Sequence, residues 1–179
     1  MKKLIKWLGI LVAVVVGLIA LVAAIGAFLP RDHVAVRQVV IDKPAEEIWA
    51  VMADFGAAPS WRPEIEKCER VPDQNGHEVW KEIGEGQEIP YEAIEMDAPR
   101  RMVRNIVDPN LPFGGGWTME LSPSGTGTQV KITEAGFVSN PIWRFVSVVV
   151  IGHTTYLDLY LTNLGKKFGQ EVKPASPAS

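Results

Sequence analysis

Apolar residues fill the chain without interruption between Trp7 and Pro30. The run WLGILVAVVVGLIALVAAIGAFLP contains no charged side chain, and about 20 such residues suffice to cross a bilayer as a helix. Within lipid, a helix satisfies every backbone polar group of the segment internally. The pattern therefore predicts a transmembrane helix, and we assign residues 1–30 to an N-terminal anchor.

The charges that flank the anchor predict its orientation. Lys2, Lys3 and Lys6 precede the apolar run, whereas Arg31 follows it and is offset at once by Asp32. By the positive-inside rule, the amino terminus is cytoplasmic and the remaining chain is extracytoplasmic, in a single-pass protein of the cell membrane. The alternative is a cleaved signal peptide, whose apolar core of about 7–15 residues is normally shorter than this one.

After the anchor, alternation of apolar and polar residues predicts strands. His33–Ile41 alternates and is followed by an amphipathic helix that opens at Pro44. Trp61 and Arg62 follow the break of that helix and are expected on a loop near a cavity mouth. Short runs bounded by turn residues then predict six more strands in an antiparallel meander, over residues 65–71, 77–83, 87–96, 101–107, 116–121 and 128–135.

The period changes to that of a helix near the carboxyl end. Apolar side chains recur at helical spacing from Pro141 to about Phe168, and Asn140 is placed to cap the first turn. A continuous helix of this length would measure about 40 Å. The last ten residues, 170–179, are predicted to form a disordered tail.

These elements predict an α+β domain over residues 31–169. A curved antiparallel sheet must bury one face, and the long C-terminal helix is available to cover it. A sheet wrapped around a single helix tends to leave an elongated pocket between the two, which is a common position for a small-molecule site.

Composition narrows the classes of partner. Apart from the three N-terminal lysines, the chain carries 15 basic and 21 acidic residues, and an acidic body argues against nucleic-acid binding. The three histidines lie far apart and show no metal-ligand spacing. No dinucleotide or phosphate-binding motif occurs, so we expect no metal and no cofactor. The oligomeric state is left open.

Three segments resemble one known superfamily. VVIDKPAEEIWAVMADF is similar to the first strand and helix of the polyketide cyclase/dehydrase and lipid-transport proteins, also called START-like or SRPBCC. EAIEMDAPRRM resembles their acidic strand with its D-x-P-x-R turn. ITEAGFVSNPIWRFVS with GHTTYLDLYLTNLGKKFG resembles the C-terminal strand and helix of bacterial membrane-linked members. The similarity covers about residues 33–169.

The resemblance implies the helix-grip fold of START-like and Bet v 1-like proteins, with an internal hydrophobic cavity. It implies no shared catalytic residues, because members range from carriers to cyclases, and the fold alone assigns no reaction. Aromatic and thioether side chains suit an irregular apolar ligand. The residues expected to line the cavity are Trp80, Tyr91, Met96, Met102, Trp117, Met119, Val149, His153 and Tyr156.

Three side chains are candidates for acid–base chemistry. His153 falls on the apolar stripe of the last helix, and Glu92 and Glu134 share strand faces with apolar residues. A carboxylate that points inward must be paired or have a raised pKa, and either property marks a site. The alternative for His153 is a core histidine bonded to a strand. The alternative for both glutamates is a hydrated position near a sheet edge.

Two further segments are unusually apolar or flexible. The glycine-rich stretch Pro109–Gly116, with Leu111 and Phe113, is predicted to form a mobile lid or to touch a membrane; the alternative is a long hairpin connection. Ile142–Ile151 is apolar almost all round, which is typical of a helix that meets a partner or a bilayer.

Three functions are compatible with these features. The first is a binder or carrier of a lipid-like or polyketide-like hydrophobic molecule in a cavity at the membrane surface, without catalysis. The second is a cyclase or dehydratase that uses His153 with Glu92 or Glu134. The third is an envelope protein-interaction module whose cavity is filled by side chains. A large apolar pocket favours the first, an internal His–carboxylate pair the second, and a filled pocket with an exposed apolar patch the third.

Overall fold

The computed structural model describes residues 2–177. A seven-stranded antiparallel sheet follows an N-terminal helix and is covered on one face by the last helix. In chain order, the elements are α1 (Lys2–Phe28), β1 (Asp32–Ile41), α2 (Ala45–Ala53), a 3-10 helix (Phe55–Ser60), β2 (Lys67–Gln74), β3 (His77–Gly84), β4 (Gln87–Asp97), β5 (Arg101–Ile106), β6 (Phe113–Ser124), β7 (Gly127–Val138), α3 (Pro141–Phe145), a π-helical turn (Val146–Ile151) and α4 (Thr155–Lys167).

Strands β2–β7 form an antiparallel meander, and β1 pairs with the last strand, β7. The strand order is β1-β7-β6-β5-β4-β3-β2, so every neighbouring pair except β1 and β7 is consecutive in the chain. This confirms the predicted helix-grip fold and the seven strands. The N-terminal segment is also helical, and α1 is long and apolar enough to span a membrane or to serve as a signal sequence.

The core lies between α4, α2 and the concave face of the sheet. Leu157, Leu161 and Leu164 of α4 are fully buried, as is Ile48 of α2. They pack against inward-facing strand residues, which include Val39, Ile41, Met102, Met119, Val130 and Ile132. The apolar stripe of the C-terminal helix and the alternation of the strands therefore meet as the sequence predicts.

The long C-terminal helix is broken, in contrast to the prediction of one continuous rod. Asn140 caps α3 as expected, accepting from the backbone N–H of Ile142 at 2.9 Å. The helix then widens into the π-helical turn and stops at Gly152, whose φ of +85° lies in the left-handed region. The chain continues into α4 after a bend of 50°. Of the two parts of this broken helix, α4 is the one that covers the core.

The glycine-rich stretch also differs from the predicted lid. β6 already begins at Phe113, and Gly114–Gly116 pair with β7. Gly115 has a φ of +116°, and a Cβ there would lie 2.2 Å from the carbonyl oxygen of Ala135. The glycines thus permit a close approach of two strands, and the connecting loop is restricted to residues 107–112.

The segment that follows α4 packs along β1. Ala175 and Gln38 exchange backbone hydrogen bonds of 3.0 and 2.9 Å, and Arg37 donates to the carbonyl of Pro174 at 2.9 Å. Val172 packs against the core. This placement differs from the predicted disordered tail; Ala178 and Ser179 lie outside the described residues.

Candidate functional site

A group of charged side chains lies beneath α4, on the concave face of the sheet. Glu82 on β3 accepts from Arg62 Nη1 and from Arg104 Nη1, each at 3.0 Å. Arg62 also donates from Nε to Glu64 at 2.9 Å, and Asn163 of α4 donates to the other oxygen of Glu64 at 3.1 Å. We call Arg62, Glu64, Glu82 and Arg104 the charged cluster. With two positive and two negative groups, it is electrically neutral.

Ion pairing keeps Glu82 and Arg62 ionised despite their burial. Burial alone would raise the pKa of Glu82, but Arg104 and Arg62 hold it below its usual value. Burial alone would lower the pKa of Arg62, but Glu82, Tyr160 and Glu64 together outweigh this effect and raise it. Burial raises the pKa of Tyr160 to about 12 and also raises the pKa of Tyr91. At neutral pH, ions therefore lie next to neutral phenols.

Arg104 is held between two aromatic rings. Its guanidinium carbon lies 4.4 Å from the ring centre of Phe55 and 4.6 Å from that of Tyr91. Only 6% of the residue is exposed. Nη1 is bonded to Glu82, but Nε and Nη2 have no hydrogen-bond acceptor within residues 2–177. Because the rings hold the guanidinium in place, its free donors have a fixed direction.

A cavity of about 20 Å³ adjoins the charged cluster, which is room for a single water-sized group. The ring of Tyr160 on α4 forms edge-to-face contacts with Trp61 and Trp117, at centroid distances of 5.1 and 5.7 Å. The cavity is lined by Arg62, Glu82, Tyr91, Arg104, Trp117 and Met119. The predicted elongated apolar hollow is thus corrected in two respects: the space is small, and half of its lining residues are charged.

The residues predicted to bind ligand are divided between interior and surface. Three of them line the cavity: Tyr91, Trp117 and Met119. Met102 is fully buried in the core, and Trp80 packs against Phe55 with ring centroids 5.8 Å apart. Three others are exposed to solvent: Met96, Val149 and Tyr156.

Glu92 does not form the expected couple with His153. It neighbours Tyr91 on β4, and successive strand residues point to opposite faces, so Glu92 lies on the convex face. There it accepts from Asn75 at 3.2 Å and lies 2.9 Å from His77 Nδ1. The bond with His77 lowers the pKa of Glu92.

Glu134 reaches His153 only through another histidine. His33 Nε2 lies 3.2 Å from Glu134 Oε1. The His33 ring stacks on that of His153, with centroids 4.0 Å apart and 17° between the planes. Burial, and then the neighbouring His33, lower the pKa of His153. None of these three side chains lines the cavity, although Glu134 is the cross-strand neighbour of Trp117, which does.

Sequence reasoning missed Glu64, Glu82, Arg104 and Asn163. A signal for two of them exists in the strand alternation. Glu82 is two residues from Trp80, and Arg104 is two residues from Met102, so each shares the face of an inward residue. Within the described chain, no group of three His, Cys, Asp or Glu side chains is placed so that it could hold a metal ion.

Comparison with known proteins assigns the family. The sequence profile described as "Polyketide cyclase / dehydrase and lipid transport" matches residues 32–168, which is most of the chain. The chain belongs to this family. The match covers the sheet and the C-terminal helix and excludes α1. The charged cluster therefore lies within the family domain. No curated protein matches the chain.

Solved structures show the same fold for the family domain. A Thermobifida fusca protein solved by NMR is 20% identical, with a TM-score of 0.59, and covers 76% of this chain and 93% of its own. A START superfamily protein from Mycobacterium smegmatis is 20% identical, with coverages of 76% and 94% and a TM-score of 0.56. Truncated norcoclaurine synthase from Thalictrum flavum is 19% identical, with coverages of 76% and 93% and a TM-score of 0.59. At these identities, the likeness concerns the fold alone.

Proposed function

We propose that this family member binds an uncharged, largely apolar small molecule beneath α4 and holds its one polar oxygen at Arg104. The observation that carries the proposal is the pair of free donors on Arg104, Nε and Nη2, at a cavity lined by Tyr91, Trp117 and Met119. A buried donor without an acceptor costs about 1–3 kcal/mol. A ligand carbonyl or hydroxyl oxygen would remove that cost.

The charge of the site selects against an ionised ligand. The two arginines of the charged cluster are already balanced by Glu64 and Glu82. A carboxylate or phosphate would therefore add an uncompensated negative charge to a buried site, which is costly. A neutral acceptor such as a ketone, ester, quinone or alcohol uses the free donors without this penalty.

Admission of a whole molecule requires α4 to move away from the sheet. About 20 Å³ accommodates the polar atom but not an apolar body. Gly152 and the π-helical turn, which join α4 to α3, provide a break with few constraints on its backbone. Irregular helical turns of this kind often mark functional hinges. We propose that α4 pivots at Gly152 to admit the ligand.

The fold is known to hold small aromatic molecules in at least one relative. A structure of norcoclaurine synthase from Thalictrum flavum, which is 18% identical to this chain with a TM-score of 0.59, is in complex with dopamine and hydroxybenzaldehyde. For this chain, the precedent supports the binding of a small molecule by the same fold. It supports no particular reaction, because the histidines that could exchange protons lie outside the cavity.

We further propose that α1 remains in the mature protein and crosses the cell membrane. Its apolar side chains are exposed along the helix, and its 27 residues measure about 40 Å, against the ~30 Å of hydrocarbon to be crossed. Lys2, Lys3 and Lys6 favour a cytoplasmic amino terminus and an extracytoplasmic domain.

A protein-interaction module is a second candidate. A nearly filled cavity, together with exposed apolar residues elsewhere on the domain such as Trp143 and Val150, is the combination that this function predicts. It requires a protein to cover those residues, and a fluorophore at position 150 that neither lipid nor aqueous quenchers reach would detect such cover.

The ligand proposal is tested by native mass spectrometry of the detergent-purified full chain, with organic extraction of any bound molecule. We expect a neutral molecule at near-equal stoichiometry. Arg104→Lys keeps the charge opposite Glu82 but replaces the planar guanidinium, whose donors have a fixed direction, with a flexible ammonium, so retention of that molecule should fall about 10- to 100-fold. Arg101→Lys on the same strand is the matched control, because Arg101 pairs at the surface with Glu95.

Folding of both variants is checked by circular dichroism. A chain that carries no small molecule, or that carries the same amount in both variants, contradicts the proposal.

A further inference from the structure

One arginine joins the end of α1 to the start of α3. Arg144 Nη1 donates to the carbonyls of Leu29 and Gly26, at 3.1 and 3.4 Å. Its Nε donates to the carbonyl of Val138 and its Nη2 to that of Ser139, each at 3.0 Å. Carbonyls at a helix C-terminus carry partial negative charge, which favours a guanidinium there. The anchor helix is therefore tied to the domain by side-chain as well as covalent bonds.

Backbone contacts tighten the same corner. A Cβ on Gly26 would lie 1.9 Å from the carbonyl oxygen of Pro141, so α1 and α3 touch at a position that only glycine allows. The backbone N–H of Val138 donates to the carbonyl of Arg31 at 3.0 Å, and the Arg31 guanidinium lies over the ring of Phe137. The domain consequently does not hang from α1 by a free linker.

Beside this corner lies an exposed apolar surface. We call residues Pro141–Ile151, which comprise α3 and the π-helical turn, the apolar shoulder. It contains no acidic residue, and its one basic residue, Arg144, is occupied by backbone carbonyls. Five of its large apolar side chains are exposed, among them Trp143 at 55% and Val150 at 69%. They continue the apolar surface of α1, which ends at the exposed Phe28.

The length of the apolar shoulder and the direction of the chain after it determine how it can contact a membrane. Eleven helical residues measure about 16 Å, about half of the ~30 Å needed to cross a bilayer. Beyond Gly152 the chain bends by 50° into α4, whose Leu157, Leu161 and Leu164 are buried against the sheet. The shoulder can therefore lie in a membrane surface but cannot cross it.

We propose that the apolar shoulder is a second membrane contact, which lies in the interface of the bilayer that α1 spans. The inference rests on the proposed anchor, because the corner at Arg144 places the shoulder beside the point where α1 leaves the lipid. Tryptophan and aliphatic side chains favour this depth. Gly152, the hinge of α4, then borders the lipid, and an apolar ligand enters from the bilayer rather than from water.

The depth of the shoulder can be measured on the full chain. Cys68 is its one cysteine; in a Cys68→Ala background, Val150→Cys is labelled with an environment-sensitive fluorophore. Val40→Cys is the matched control, because Val40 is also an exposed valine, at 51%. It lies about 26 Å along β1 from Asp32, where the chain has left α1.

Both proteins are reconstituted into phosphatidylcholine–phosphatidylglycerol vesicles. Spin-labelled lipids quench from within the bilayer, and iodide on both sides quenches from water. We expect lipid quenching at position 150 to exceed that at position 40 by about twofold or more, and iodide to show the reverse order. Equal quenching by iodide at both positions places the shoulder in water and overturns the proposal.

Protection of position 150 from both quenchers also overturns it, because another protein, such as a second copy of the chain, then covers the shoulder. Release of the chain by alkaline carbonate overturns anchor and shoulder together. The measurement needs no ligand, and the Arg104 variants do not alter the shoulder, so the membrane contact and ligand binding can each fail alone.

Discussion

Glu82 and Arg104 form an ion pair in the protein interior, with Oε1 and Nη1 3.0 Å apart and less than a tenth of either side chain exposed. Removal of two charges from water costs several kcal/mol per ion, and the pair recovers this only while both partners remain. The same pair leaves two donors of Arg104 free at the cavity. One interaction thus affects both the stability of the fold and the polarity of the site.

Loss of one partner should therefore be severe. We expect Glu82→Gln to lower the free energy of unfolding by about 3–5 kcal/mol, because it leaves Arg104 buried with reduced compensation. Urea titration followed by circular dichroism measures this. Glu120→Gln is the control: Glu120 pairs with Lys131 and Arg101 at the surface, where a loss of about 0–1 kcal/mol is normal. Similar losses in the two variants would show that the cluster is not effectively buried.

Acid should weaken the same pair in a defined range. Because the folded-state pKa of Glu82 lies below its ordinary value of 4.5, its contribution to stability is present above about pH 4.5 and is lost as the pH falls below that value. In Glu82→Gln this part of the acid dependence should be absent. An unchanged decline below pH 4.5 would assign the effect to other carboxylates.

The stacking of His153 on His33 predicts a second effect of pH on stability, at a higher pH than the effect of Glu82. The pKa of His153 is lowered from its ordinary value of 6.5, so the unfolded chain binds the proton more readily than the folded one. The corresponding stability is present above about pH 6.5 and is lost as the pH falls toward the folded-state pKa. His153→Phe keeps a ring against His33 without the titration.

Unfolding free energies between about pH 5 and pH 7 should therefore depend less on pH in His153→Phe than in the wild type. Above about pH 7, where His153 is neutral in both states, the two slopes should coincide. A variant that retains the full slope in the lower range would show that His153 does not cause it.

Variants of two glycines should distinguish the cost of backbone strain from the cost of close packing. Gly125 has a φ of +60° with no atom of the described chain within 4 Å of an added Cβ, so Gly125→Ala should cost only about 1–2 kcal/mol. Gly115 combines a φ of +116° with an Ala135 carbonyl oxygen at 2.2 Å from that Cβ. Gly115→Ala should cost about 1–3 kcal/mol more, from overpacking of β6 against β7. Thermal unfolding of both variants measures the difference; equal costs would mean that the strands separate freely.

Two glycines of α1 test the corner with α3. Gly26→Val should force Pro141 away, whereas a Cβ on Gly17 has no described atom within 4 Å apart from the backbone of its own helix. Both changes add the same side chain to the same helix. Hydrogen exchange of the amides in residues 138–146 should accelerate in Gly26→Val only, because the bond from the Val138 N–H to the carbonyl of Arg31 opens there. Equal protection in both variants would show that the domain is not fixed to its anchor.

Local patterns predicted most of the fold. The uncharged run of α1, the turn-bounded strands and the Asn140 cap are properties of neighbouring residues, and the structure has them where the sequence places them. The break in the last helix was not predicted. Residues 142–151 are apolar on nearly every side. Their pattern therefore does not show which side of the helix faces the core, or that the helix breaks before α4. The role of Gly152 depends on the tertiary position of α4.

The charged cluster could not be assembled from the sequence for a different reason. Arg62, Glu82 and Arg104 come from a loop and two strands, and a strand pattern gives the face of a residue but not its distance from another segment. Charged residues are usually exposed, so an inward arginine is not the default expectation. By contrast, Tyr91, Trp117 and Met119 were predicted at the cavity because apolar residues on inward faces normally meet.

The bridge between Gln38 and Ala175 has a consequence for self-association. β1 is an outer strand of the sheet, and an outer strand with unsatisfied amides and carbonyls invites pairing with another molecule. Here the chain's own carboxyl end occupies the middle of that edge. In the proposed membrane-anchored state, molecules diffuse in two dimensions and meet often, and Pro174 and Ala175 then cover an edge at which strands of two molecules could otherwise pair and aggregate.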